Sequence, residues 1–417
     1  MSQTKPEPKK PSKTLTRITA AVLTVAFLAF MFVAFGDMMV QNWEGLNDAV
    51  RLMSNLRPYL PERWGQLDLL QARISSFTGF ISEHMWQKEG LGYVNSGFQY
   101  ALGKRMINTG NQNMVTLTDG HLYDLCDYKS LQGNAEDIIA LRGGTLAGIP
   151  FLFVYEHPTL YRDDMLPAGY EALDHSAQMA DEAVSALREG CIEVMDSRDV
   201  LNSCGLPLDD LLLVTDQHWS TLAAITMAGA IAGKLDDMAG APLDPSLLDL
   251  SKFNTLTHEK LFMGKYGQRV GPGVVDPDDI IEYWPKYETE ITRDTLRVTT
   301  EEHVTGPFRE AVTRFDRLEP DPGRTWNTLA YTYYGQVESY NNFHNDGAPD
   351  YTILLLKDSY SAPIGTFLSL LARDVITVDL RRDVDPLETW IEKYDPDAVV
   401  MAYSLQMLRD DEYAFGG

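Results

Sequence analysis

Tyr351-Thr-Ile-Leu-Leu-Leu-Lys-Asp-Ser-Tyr360 reads as a strand with apolar side chains on both faces, broken off at Lys357-Asp358. Proline pre-sets the backbone of a first helical turn, so Pro363 opens an apolar helix over 363–373. A strand that is apolar on both faces needs helices above and below it. The same alternation recurs on either side. Upstream, helix 135–142 precedes strand 148–155, and amphipathic helix 174–189 precedes strand 191–196. An apolar helix follows at 222–235, where Ala223, Ala224, Ala228, Gly229 and Ala230 permit close approach to a sheet. Downstream come strand 374–379, helix 386–393 and strand 397–402. This succession predicts the α/β class, a parallel sheet with helices on both faces.

Residues 251–345 interrupt the succession. Gly264-Lys-Tyr-Gly267, Gly271-Pro-Gly273 and Asp276-Pro-Asp-Asp279 mark turns, and Tyr287–Thr292 and Thr295–Thr299 alternate polar with apolar residues. These are the signs of hairpins and surface loops. They predict a β-rich insertion packed beside the parallel sheet.

The amino-terminal end has a different character. Lys5, Lys9, Lys10, Lys13 and Arg17 stand against Glu7, and Ile18 to Phe35 follows as an uncharged run. At roughly 1.5 Å per residue this run spans about 27 Å, the thickness of a bilayer's hydrocarbon. Small residues at Ala34-Phe-Gly36 would suit a cleaved signal peptide, but the run exceeds the roughly 7–15 residues of a signal core. The expectation is a basic cytoplasmic tail over 1–17 and a retained, single-pass signal anchor over 18–40. A helical stalk or collar over 41–105 then leads to one domain over 106–417. The basic flank leaves that domain outside the cell membrane. The net charge of −25 repels polyanions and argues against nucleic-acid binding. Cys126, Cys191 and Cys204 allow at most one disulfide, for which Cys191 and Cys204 are candidates, and they show no metal-ligand spacing.

Two short segments carry candidate chemistry. In Leu211-Leu-Leu-Val-Thr-Asp-Gln-His-Trp-Ser220, a carboxylate and an imidazole stand two residues apart. An imidazole whose second nitrogen donates to a carboxylate is a competent general base. A polar loop capping the helix after Ser220, or a metal site, would use the same residues. Ser359 stands at the carboxyl end of a strand, where open α/β sheets gather ligands and nucleophiles. Its own N–H and that of Tyr360 are candidate oxyanion donors. Ser359 could instead cap the following helix, although Ser361 is better placed to do so.

Thr215-Asp-Gln-His-Trp-Ser220, followed by an Ala/Gly-rich helix, resembles the motif that names the bacterial DHHW proteins, with Gln217 in place of the first histidine. Lys357-Asp-Ser-Tyr-Ser361, then Phe367-Leu and Val378-Asp-Leu-Arg381, is similar to their later signature. The likeness runs in order from about Asp124 to Tyr403. That family belongs with the AlgX/AlgJ-type, SGNH-hydrolase-like sugar O-acetyltransferases. The resemblance implies an SGNH-like fold with Ser359 as nucleophile, His218 as base and Asp216 as its orienter. It also implies O-acetylation of a cell-envelope glycan without a bound cofactor, and a multi-pass membrane acyltransferase as acetyl donor. An esterase would use the same triad, and a glycan-binding or assembly protein could keep the fold without turnover. Asn341 and Asn342 are further oxyanion candidates unless they serve a turn. Trp219 is either a sugar-stacking platform or, the preferred reading, a core aromatic. Arg381 would bind an anionic group or pair with Asp379 or Asp383. Asp358 is read as a solvated helix-end charge rather than as an orienter of the turn.

Overall fold

The computed structural model describes residues 88–109, 113–297, 300–335, 338–382 and 385–410, with Val25, Ala29 and Gly36. The chain divides into two compact units, Met1–Gly92 and Tyr93–Gly417. The tail, all but these three residues of the anchor, and most of the stalk expected from the sequence lie outside the described residues. Among the described residues no helix is long and apolar enough to cross a membrane.

Among the described residues the second unit contains thirteen strands: β1 (Met106–Asn108), β2 (Asn113–Thr116), β3 (Leu122–Asp124), β4 (Phe151–Glu156), β5 (Glu193–Asp196), β6 (Phe253–Phe262), β7 (Asp278–Pro285), β8 (Ile291–Arg297), β9 (Thr300–Gly306), β10 (Tyr340–His344), β11 (Thr352–Lys357), β12 (Asp374–Val378) and β13 (Ala398–Ser404). Eight of them form one sheet in the order β5-β4-β13-β11-β12-β10-β8-β9. The first five are mutually parallel. Every residue of β4 and β13 is buried, which is why these runs read as apolar without alternation.

Side chains leave the two faces in turn. Leu152, Val154, Ile353, Leu355, Val400 and Ala402 enter one core, together with the helices Thr221–Ala239 and Ala362–Leu368. Phe153, Tyr155, Leu354, Leu356, Val399 and Met401 enter the other, beneath the helices Gln132–Gly143, Ser176–Glu189 and Leu387–Tyr394. Burying each large apolar side chain contributes about 1.5–3 kcal/mol, so the two-sided core dominates the stability. Gly365 lets the helix Ala362–Leu368 lie against the sheet, because a Cβ there would stand 2.4 Å from Thr377 Cγ2.

The insertion differs from expectation in one respect. β6 and β7 form a separate antiparallel pair. β8, β9 and β10, however, continue the main sheet: β10 pairs antiparallel with β12, β8 with β10, and β9 with β8. The polar alternation marked antiparallel strands but not the edge they would join. Asn341 and Asn342 therefore lie in a strand, not in a turn. The helix after β11 ends at Leu368, shorter than the span to 373 that the apolar run suggested, and tight turns carry the chain to β12. The three cysteines are free, so Cys191 and Cys204 are not joined.

Candidate active site

The turn after β11 is built by buried polar groups. Asp358, only 1% exposed, accepts the Tyr360 N–H on Oδ1 at 2.8 Å and the Ser404 N–H on Oδ2 at 2.9 Å. Its own N–H donates to Ser361 Oγ at 3.2 Å, and that hydroxyl donates to the Ala402 carbonyl at 3.0 Å. The turn is thus stapled to the end of β13. The reading of Asp358 as a solvated charge is overturned: it orients the turn. Ser361 likewise fastens the turn and makes no side-chain cap on the helix. Because Tyr360 spends its N–H on Asp358, the Ser359 N–H is the one of the two candidate donors that remains to meet an oxyanion.

The Asp216–His218 loop is closed by an antiparallel bridge between Leu212 and Trp219 and by the Ser220 N–H donating to the Leu211 carbonyl at 2.8 Å. Ser220 then caps the helix Thr221–Ala239. The β6–β7 segment grips the loop from the other side. Asp278 accepts the N–H groups of Val214 and Thr215 at 2.7 and 2.9 Å. Gly264 N–H donates to Thr215 Oγ1 at 2.8 Å, and Lys265 N–H to Asp216 Oδ2 at 2.7 Å. Burial pushes the Asp278 carboxyl up to about 6 in spite of its donors.

These two segments meet. His218 Nδ1 lies 2.5 Å from Asp216 Oδ1, and its Nε2 lies 2.8 Å from Ser359 Oγ. Since Asp216 accepts at Nδ1, the neutral ring carries its proton there and leaves Nε2 to receive the Ser359 hydroxyl proton. Asp216 and His218 are 2% and 7% exposed. Burial by itself raises the Asp216 carboxyl. The charge and hydrogen bond of His218 and the Lys265 N–H outweigh it, and hold the group below the usual carboxylate range. The His218 ring is clasped between Tyr331, stacked at 4.3 Å, and Tyr360 at 4.5 Å.

The other candidates are placed as follows. Trp219 is a core aromatic, 4% exposed, whose Nε1–H donates to the Tyr360 carbonyl at 3.0 Å; it ties the imidazole segment to the serine turn. Arg381 pairs through Nε and Nη2 with the two Asp379 oxygens, each at 2.8 Å. Asn341 accepts from Thr295 Oγ1 at 2.7 Å and donates to Thr377 Oγ1 at 3.3 Å, so its bonds stay inside the sheet. Asn342 follows it in β10, its carbonyl oxygen without a partner among the described residues. Neither asparagine is brought to Ser359 by any of these contacts.

A cavity of about 220 Å³ is lined by Gln217 and Tyr360, chain neighbours of the three residues, with Lys265, Tyr266, Arg269 and Ser404 among others. A second, of about 480 Å³, is walled in part by Trp219, Tyr331 and Tyr333. Among the described residues, Asp119, His121 and Asp209 bring ligand atoms within 4.8 Å of one another, close enough to share a cation. None of these belongs to the three-residue arrangement.

Gly264, Lys265, Asp278 and Tyr331 were not found from the sequence. The Gly264-x-x-Gly267 spacing was visible but was read as turn chemistry. Its reason is proximity: a Cβ on Gly264 would stand 2.4 Å from Asp216 Cβ and 2.6 Å from the Thr215 carbonyl. Gly264→Ala is therefore expected to displace Asp216. It should lower stability by about 1–3 kcal/mol and slow reaction at Ser359 by about tenfold or more. Thermal unfolding and the rate of covalent labelling of Ser359 by a sulfonyl fluoride measure the two effects. An unchanged labelling rate would refute the assignment.

No family model matches the sequence, and no curated protein matches it. Solved structures do. A DHHW family protein from Eubacterium siraeum aligns at a TM-score of 0.55 and 17% identity, over 73% of this chain and 94% of its own. PatB1 of Bacillus cereus, in a structure with a sulfonyl adduct, aligns at 0.59 and 15% identity, over 74% of this chain and 100% of its own. The chain shares their fold. The DHHW-type α/β fold thus accounts for nearly the whole length of both neighbours, and the expected resemblance to DHHW proteins holds at the level of architecture. The O-acetyltransferase domain of Pseudomonas putida AlgJ also matches, at a TM-score of 0.40 and 13% identity, over 71% of this chain and 92% of its own.

Proposed function

We propose that this chain is a serine-dependent O-acyltransferase that places acetyl groups on an extracytoplasmic cell-surface glycan. The observation that carries the reading is the 2.8 Å approach of His218 Nε2 to Ser359 Oγ, with Asp216 behind the imidazole. Asp216 and His218 stand two positions apart and Ser359 141 positions further on, ordered so that the serine hydroxyl can pass its proton to an imidazole that the carboxylate orients. The DHHW-type fold and the two motifs support the assignment.

In the proposed cycle, Ser359 Oγ attacks an acetyl carbonyl while its proton passes to His218 Nε2. The Ser359 N–H meets the oxyanion. Collapse of the tetrahedral adduct breaks the bond to the donor's leaving group, which takes the proton from His218. This leaves an acetyl ester on Ser359. A glycan hydroxyl then attacks the ester and gives its proton to His218. The second collapse returns that proton to Ser359 Oγ and releases the acetylated glycan. Asp216 stays ionised throughout and stabilises the imidazolium. The basic tail and apolar run at the amino-terminal end place the domain outside the cell membrane in this reading. A multi-pass membrane acyltransferase would supply the acetyl group there.

The test supplies a chromogenic acetyl ester to the protein with and without glycan acceptor. Acceptor-dependent consumption, with acetyl found on the glycan by mass spectrometry, is the expected result. Release of acetate at a rate that ignores the acceptor would defeat transfer and favour an esterase.

A further inference from the structure

Glu156 ends β4 and is wholly buried. It stands in register with Ser404 of β13, the residue whose N–H holds Asp358 Oδ2. Among the described residues, no N–H or O–H group makes a hydrogen bond to either Glu156 oxygen. The Asp358 carboxyl and Ser361 lie against it, yet the single hydroxyl proton of Ser361 goes to the Ala402 carbonyl. The other groups facing it are accounted for. The Tyr161 hydroxyl, on the segment after β4, donates to the His157 carbonyl. Arg381 acts from beyond β12 but is held by Asp379. Lys357, beside Asp358, gives Nζ to the Glu338 carbonyl.

Two carboxyls therefore share a buried site, with no cation bonded to either among the described residues. Both cannot ionise there. Asp358 receives two backbone N–H groups, so its oxygens already serve as acceptors. Burial first, and the Asp358 charge second, push Glu156 well above the usual carboxylate range.

We propose that Glu156 is a neutral carboxylic acid that donates its proton in a hydrogen bond to Asp358, and is the positioning residue that locks the turn presenting Ser359. The inference rests on Ser359 being the nucleophile. Glu156 touches no substrate; it acts through Asp358, which holds the Tyr360 N–H and so fixes the serine between two bonded neighbours.

The sign of the pH effect follows from linkage. The unfolded chain loses the Glu156 proton above about 4.3, whereas the folded chain keeps it. Stability therefore drains away as pH rises from there towards the raised folded value. Glu156→Gln keeps an N–H donor for Asp358 and has no proton to lose. Its thermal midpoint is expected to fall less than that of the wild type between pH 5 and 8, with Ser359 still labelled by a sulfonyl fluoride. Glu156→Ala, without the donor, is expected to label about tenfold more slowly or worse, and the glutamine variant restores the rate. Equal pH slopes for wild type and Glu156→Gln would overturn the neutral acid. If the alanine variant does not fold, that comparison still decides. Wild-type labelling of Glu156→Ala would overturn the positioning role. Absence of labelling at Ser359 in the wild-type chain sinks the nucleophile reading and the positioning role with it, while the slopes still report the carboxyl pair alone.

Discussion

Ser359→Ala is expected to abolish acyl transfer, lowering turnover by about 10⁶-fold. The oxygen removed is the one that would carry the acyl group, and no other hydroxyl stands within reach of His218 Nε2 in the described structure. The fold should survive. Among the described residues the Ser359 side chain bonds only to His218, and losing one half-buried bond costs about 0.5–1.5 kcal/mol. Burst kinetics with an acetyl ester and thermal unfolding separate the two quantities. Retention of even one per cent of the transfer rate would remove Ser359 from the role of nucleophile.

Asp216→Asn is expected to cut turnover by about 10⁴-fold, and here the loss should reach stability too. One carboxylate oxygen serves His218 through both its backbone N–H and Nδ1, while the other receives the Lys265 N–H. An amide offers one acceptor and one NH₂ group. If the oxygen faces Lys265, the NH₂ group points at Nδ1 and forces the wrong tautomer. If it faces His218, the Lys265 N–H loses its acceptor, and a part-buried hydrogen bond worth about 0.5–1.5 kcal/mol goes with it. The pH dependence distinguishes this from a packing defect. The Asp216 carboxyl lies below its usual range in the folded state. Its stabilising contribution is thus present above about 3.9 and lost as pH falls through the folded value. The gap in thermal midpoint between wild type and Asp216→Asn should close in acid. A gap that stays constant down to pH 3 would contradict the assignment.

The part of the fold legible from sequence was the part in which one segment states its own surroundings. β4, β11 and β13 are apolar on both faces because both faces are buried, and no distant information is needed to see that. The Asp-x-His pair and the serine after a buried strand were legible for the same reason: each is a local pattern at a strand or helix boundary. Where β8, β9 and β10 would dock was not legible. A half-exposed antiparallel strand records that it has one wet face but not whose edge it meets. Asp358 and Glu156 were hidden more deeply. A carboxylate is read as solvated unless something shows otherwise, and what buries these two is the convergence of β4, β11 and β13. Gly264 was visible as a glycine, but the side chain it makes room for lies 48 positions earlier in the chain.

The staple from Asp358 to Ser404 has a consequence for how the protein comes into being. The imidazole and the hydroxyl are separated by 141 positions, and the turn bearing the hydroxyl is anchored a further 46 positions along. Such long-range closure is reached late in folding. A chain that ends between Ser361 and Ser404 holds all three side chains and yet lacks the anchor on Asp358. If Ser359 is the nucleophile, its alignment thus waits on the last strand of the sheet, and a half-made molecule is expected to be chemically quiet towards esters.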